Sequence, residues 1–135
     1  MDEGAETDVE ILLVEDNPGD VRLIKEALDE TNSTLHITSD GREALDFLHR
    51  RNEFTDAPRI DIILLDLNLP KVDGRQVLDE IRNDSELDDI RVIIVTSAQE
   101  EHTTFEQGEL DVSDFLTKPA NPEEFMALVR SSIFD

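Results

Sequence analysis

Apolar residues along this chain fall into runs of two kinds, and the order in which they alternate predicts the fold. The first kind is continuous and aliphatic, with members at 9–16 (VEILLVED), 34–39 (TLHITS), 60–65, 91–98 (RVIIVTSA) and 112–117. Each is the length of a strand. The second kind repeats at helical spacing. Val21, Leu23, Ile24, Ala27 and Leu28 do so within 20–28, and Ala44, Leu45 and Leu48 follow Asp40-Gly41. Val77, Leu78 and Ile81 mark a buried face within 72–81, the polar stretch 99–106 reads as a further helix, and Phe125, Leu128 and Val129 lie on a last one beginning at Asn121 or Pro122.

Breakers sit where the two kinds meet. Asn17-Pro18 ends the first strand and can open a helix, since proline at a first helical position forfeits no hydrogen bond. Residues 50–58 form a polar connection, Asn83-Asp84-Ser85 marks a helix exit, and Lys118-Pro119 stops the last strand. Strand and helix thus alternate five times. Uninterrupted aliphatic strands need cover on both faces, so the expected class is α/β, a doubly wound five-stranded parallel sheet between helices.

Composition narrows the function. The chain of 135 residues fits one domain over 9–135, preceded by an acidic leader at 1–8, and an apolar fraction of 38% is enough for a core. It carries 34 acids against 12 bases, a formal charge of -22, and its lysines are Lys25, Lys71 and Lys118. Such a field repels nucleic-acid backbone, which disfavours direct DNA or RNA binding. Its self-repulsion would be relieved by screening, so adaptation to high salt is expected. There is no cysteine, which excludes disulfides, a thiol nucleophile and thiolate zinc sites. No run is long enough to span a membrane and the N-terminus does not resemble a signal peptide, so a cytoplasmic protein without membrane insertion is expected.

The stretch IILLDLNLPKVDG (62–74) places Asp66 directly after four aliphatic residues, where an unpaired carboxylate is expensive. In an open parallel sheet, functional groups gather at the carboxyl ends of strands. Glu15 and Asp16 follow the first strand, Asp66 the third, Thr96 and Ser97 the fourth, and Lys118 the fifth. Carboxylates that converge raise one another's pKa values unless a cation intervenes, and Mg²⁺ prefers oxygen ligands. A lysine and a hydroxyl beside them suit a phosphoryl group carried on Asp66, with its carboxylate as nucleophile. A carboxylate by itself does not separate phosphorylation from metal binding alone. His36, His49 and His102 show no metal-ligand spacing, and the glycines form neither GxGxxG nor GxxxxGK.

The joint pattern VEDN, LLDLNLPKVDG, VTSA and FLTKP, within residues 9–133, resembles the receiver domains of two-component response regulators. It is most similar to the small regulators that partner phytochrome-type kinases. The resemblance implies a flavodoxin-like strand order 2-1-3-4-5. It implies that Asp66 accepts a phosphoryl group from a histidine kinase or phosphotransfer protein. Asp16 and Asp66 would bind Mg²⁺ (or Mn²⁺) through their side chains, Asn68 through its backbone carbonyl, and Glu15 through water or as a secondary ligand. Lys118 would contact the phosphoryl group, Ser97 rather than Thr96 would be the switch hydroxyl, and Phe115 the switch aromatic. Asn68 would also orient water for dephosphorylation, and Lys118-Pro119 resembles the family's cis peptide. With no output domain expected, the signal would leave by protein binding, phosphorelay or homodimerisation, with the surface at 99–131 as the responsive face. Two alternatives stand beside this: a docking module that is not phosphorylated, and a haloacid-dehalogenase-like phosphatase, which Asn68 in place of a second acid disfavours.

Overall fold

The computed structural model describes residues 9–29, 31–66, 74–97 and 114–134. The elements are β1 (Val9–Val14), α1 (Pro18–Leu28), β2 (Ser33–Thr38), α2 (Gly41–His49), a short 3-10 turn (Asn52–Phe54), β3 (Ile62–Asp66), α3 (Gly74–Arg82), β4 (Arg91–Ser97), β5 (Asp114–Lys118) and α4 (Pro122–Phe134). The strands form one parallel sheet in the order β2-β1-β3-β4-β5, as expected. The leader at 1–8 and the helix expected at 99–106 lie outside the described residues, as does the part of the proposed signalling surface at 99–113.

Strand alternation divides the core into two layers. Leu12, Val14, Ile63, Leu65, Val92 and Ile94 face α2 and α3, where they meet Ala44, Leu45, Phe47, Val77, Leu78 and Ile81. Ile11, Leu13, Ile62, Leu64, Ile93, Val95 and Leu116 face α1 and α4, against Ile24, Ala27, Phe125, Val129 and Ile133. Because β1, β3 and β4 are covered on both sides, every residue of Ile62–Asp66 is buried, and this is why their sequences run aliphatic without alternation.

Helix starts are fixed by side-chain caps. The Asn17 amide oxygen accepts from the N–H groups of Gly19 (2.9 Å) and Asp20 (3.1 Å), so α1 begins at Pro18, at the Asn17-Pro18 pair expected to open it. Asp40 caps α2 by accepting from the Glu43 N–H at 2.8 Å, and Glu43 reaches back to the Ser39 N–H at 2.7 Å.

One expectation needs correction, and two details go beyond what the sequence predicts. The connection at 50–58 contains the 3-10 turn, entered through Arg50 and Asn52 in left-handed conformations, both at φ 56°. Leu128 is exposed at 42% while Ile133 is buried, because among the described residues the sheet and α1 cover one face of α4. The Lys118–Pro119 peptide is trans, the isomer favoured by about 0.5–1 kcal/mol in a bare X–Pro bond.

Candidate functional site

Register brings the acids to one height. Val14 of β1 pairs with Leu65 of β3, so the next residues, Glu15 and Asp66, leave the sheet side by side. Asp66 is the last residue of β3, paired with Val95 and 5% exposed. Glu15 is 2% exposed, and Asp16 stands in solvent. One carboxylate oxygen from each of Glu15, Asp16 and Asp66 lies within 4.8 Å of the other two.

Lys118 completes the cluster from the end of β5. Its Nζ is 2.6 Å from Asp20 Oδ2, 3.2 Å from Glu15 Oε1 and 4.0 Å from Asp66 Oδ2. The trans Lys118–Pro119 bond therefore does not prevent the lysine from reaching inward. Burial alone would lower its pKa, but the hydrogen bond it donates to Asp20 and the charges of Glu15, Asp66 and Asp20 hold it above the ordinary lysine value. It is a fixed cation.

Glu15 is the strained member. Burial first, then a hydrogen bond with Asp66 and the charge of Asp66, push its carboxyl up to about 8. Lys118 and the Asn17 N–H, which donates to Glu15 Oε2 at 3.2 Å, offset part of this. A proton shared between buried carboxyls is what such a site holds when no metal neutralises it. The donor set fits a hard divalent cation: three carboxylates converge, two of them buried and one open to water.

Glu15, Asp16, Asp66 and Lys118 are thus brought together as the sequence predicts. Thr96 is buried at 1% on the α2–α3 side of the sheet and pairs in register with Thr117, whereas Ser97 pairs with Lys118. The side chains of Ser97 and Phe115, and all of Asn68, lie outside the described residues. Asp20 is the residue that sequence reasoning misses. It reads as an ordinary acid in the first turn of α1, and only the fold reveals that its carboxylate holds Lys118.

Among the described residues, no helix is long and apolar enough to cross a membrane. Comparison with known proteins agrees with the geometry. The family described as response regulator receiver domain matches residues 11–130. The response regulator Rcp1 of Synechocystis sp. is 42% identical over 123 residues, spanning 89% of this chain and 83% of that protein. The structure of the phosphorylated cyanobacterial phytochrome response regulator RcpA superimposes with a TM-score of 0.83 at 40% identity, over 92% of this chain and 90% of that one. The Mn²⁺-bound form of Rcp1 gives 0.82 at 40% identity, over 91% and 90%.

Proposed function

The chain belongs to the response regulator receiver family, and on that premise we propose that Asp66 is its phosphoacceptor and that the domain acts as a phosphorylation-driven switch. Its chemistry takes place on its own aspartate. It is that of a receiver rather than of a metabolic enzyme or a dehalogenase-like phosphatase.

The observation that carries this reading is the position of Lys118 Nζ, 4.0 Å from the Asp66 carboxylate and beside two further buried or converging acids. An Asp66 oxygen attacks phosphorus in line. The new O–P bond forms as the P–N bond to the donor imidazole breaks, and the electron pair returns to the ring nitrogen. Lys118 meets the charge that arrives on the phosphoryl oxygens, and Ser97, the register neighbour of Lys118, supplies the hydroxyl. A divalent cation, Mg²⁺ or Mn²⁺, would be held by Asp16 and Asp66 with Glu15 as a secondary ligand and Asn68 through its carbonyl, and it would neutralise the same oxygens. Asn68 orients the water that later removes the group, so Asn68→Ala should retain phosphoryl longer than wild type.

The donor is a histidine kinase or a phosphotransfer protein, as the similarity to Rcp1 and RcpA supports. The expected setting is cytoplasmic and salt-rich. The test is intact mass after incubation with acetyl phosphate in high salt. A phosphoryl-sized gain that requires both Mg²⁺ and Asp66, and is lost in Asp66→Asn, supports the switch. Folded protein that gains nothing at any early time point would leave a docking module instead.

A further inference from the structure

Resting on the phosphoacceptor reading, the geometry points to Asp20 as a positioning residue that restrains Lys118, so that the Asp20–Lys118 ion pair opposes engagement of a phosphoryl group on Asp66. The three contacts of the ammonium are unequal. Its shortest is the 2.6 Å bond to Asp20, its next the 3.2 Å bond to Glu15, and its longest, 4.0 Å to Asp66, is beyond hydrogen-bonding distance. The residue expected to greet the phosphoryl group is therefore held most closely by a carboxylate outside the converging triad.

An acid in the first turn of a helix is ordinarily explained by the helix dipole, worth about 0.3–1 kcal/mol. Two facts take Asp20 beyond that. Its own N–H is already satisfied by Asn17, and its side chain is only 23% exposed because it leans onto a lysine 98 residues away in sequence. A charge-assisted hydrogen bond this short, between groups largely withdrawn from water, is stronger than a surface pair. Drawing Lys118 further toward phosphoryl oxygens works against that bond. Asp20 also adds negative charge near a site that must receive an anion, so both effects have the same sign: Asp20 raises the threshold for the phosphorylated state.

The test uses beryllofluoride, a phosphoryl mimic, at saturating Mg²⁺, with bound fluorine read by NMR in wild type, Asp20→Asn, Lys118→Gln and the double variant. Asn keeps the shape of the side chain and removes its charge, and Asn17 still caps the helix. Asp20→Asn is expected to lower the Kd about 3- to 10-fold, and that gain should shrink below about twofold in the Lys118→Gln background. A purely structural role would lower the melting temperature and leave the Kd in place. An unchanged or higher Kd in Asp20→Asn overturns the restraint, as does a gain that persists undiminished without Lys118, which would mark a through-space charge effect. Failure of wild type to bind the mimic, or equal binding by Asp66→Asn, would instead remove the phosphoacceptor reading and this inference with it.

Discussion

Lys118 Nζ donates to Glu15 Oε1 at 3.2 Å, although the two residues are 103 positions apart in the chain. The contact joins the end of β5 to the end of β1 across two intervening strands, and it places a cation against a carboxylate that is almost wholly buried. Removing one partner of such a pair leaves the other uncompensated, which costs more than the pair itself contributes. In metal-free protein, Lys118→Gln is expected to lower the unfolding free energy by about 1–3 kcal/mol, because Asp20 and Asp66 lose their common counterion and Glu15 loses a hydrogen-bond donor. Asp66→Asn should act in the opposite direction, since it removes a buried charge from beside Glu15 and Asp16. Urea unfolding in EDTA measures both. Equal stability of Lys118→Gln and wild type would contradict the role of Lys118 as the counterion.

The raised Glu15 carboxyl sets a pH dependence whose sign can be worked out. Its value is 4.5 in the unfolded chain and about 8 in the folded, metal-free protein. Between those values the folded state retains a proton that the unfolded chain has lost, so stability falls as pH rises. The contribution is complete below the unfolded value and gone above the folded one. Lys118 does not oppose this trend, because its raised pKa keeps it charged throughout that window. In EDTA, the melting temperature should fall as pH rises from about 5.5 to 8.5. Glu15→Gln should flatten that slope, and saturating Mg²⁺ should flatten it too by replacing the proton. A slope unaltered in Glu15→Gln would assign the effect to other groups.

Two adjacent hydroxyls separate by their surroundings. Thr96 is 1% exposed, on the strand face shared with Ile94 and Val92, and its register partner is Thr117. Ser97 is the register partner of Lys118. Thr96→Ala should therefore destabilise the fold by about 1 kcal/mol while phosphoryl uptake survives, and Ser97→Ala should slow uptake with little change in melting temperature. Rates from acetyl phosphate labelling beside thermal melts give the answer. The reverse pattern would move the switch hydroxyl to Thr96.

The parts of this protein legible in its sequence are those governed by short-range periodicity. An aliphatic run as short as Ile62–Leu65, followed by a turn signal, reads as a strand covered on both faces, and that places Asp66 at the strand's carboxyl end. The same logic carries Glu15, Asp16 and Lys118 to one end of the sheet. What escapes is what periodicity leaves ambiguous. Phe125, Leu128 and Val129 fit one helical stripe, yet the sheet and α1 cover only part of it, so Leu128 stays exposed and Phe47, absent from the expected α2 face, is buried. The role of Asp20 is hidden for a different reason. Its local explanation as a first-turn acid is sufficient, and nothing within four residues of it reveals a lysine 98 positions away.

The charge of -22 over 135 residues makes salt a structural variable. Many of these acids are exposed, and repulsion between exposed charges decays over about 10 Å at 0.1 M salt but about 3 Å at 1 M. Folding concentrates the acids on a smaller surface than the extended chain offers, so screening favours the folded state. The urea midpoint should therefore climb steeply as KCl rises from about 0.1 to 1 M and then more slowly, as the screening length falls below the spacing of neighbouring carboxylates. Salting-out of apolar surface also stabilises proteins, and neutral substitutions tell the two apart. Asp56→Asn, Asp79→Asn, Glu86→Gln and Asp88→Asn together remove four exposed charges without touching the carboxylate cluster. That variant should be more stable than wild type at low salt and converge with it at high salt. Parallel salt curves would mean that the dependence comes from the apolar core, and a flat wild-type curve would remove the case for adaptation to salt altogether.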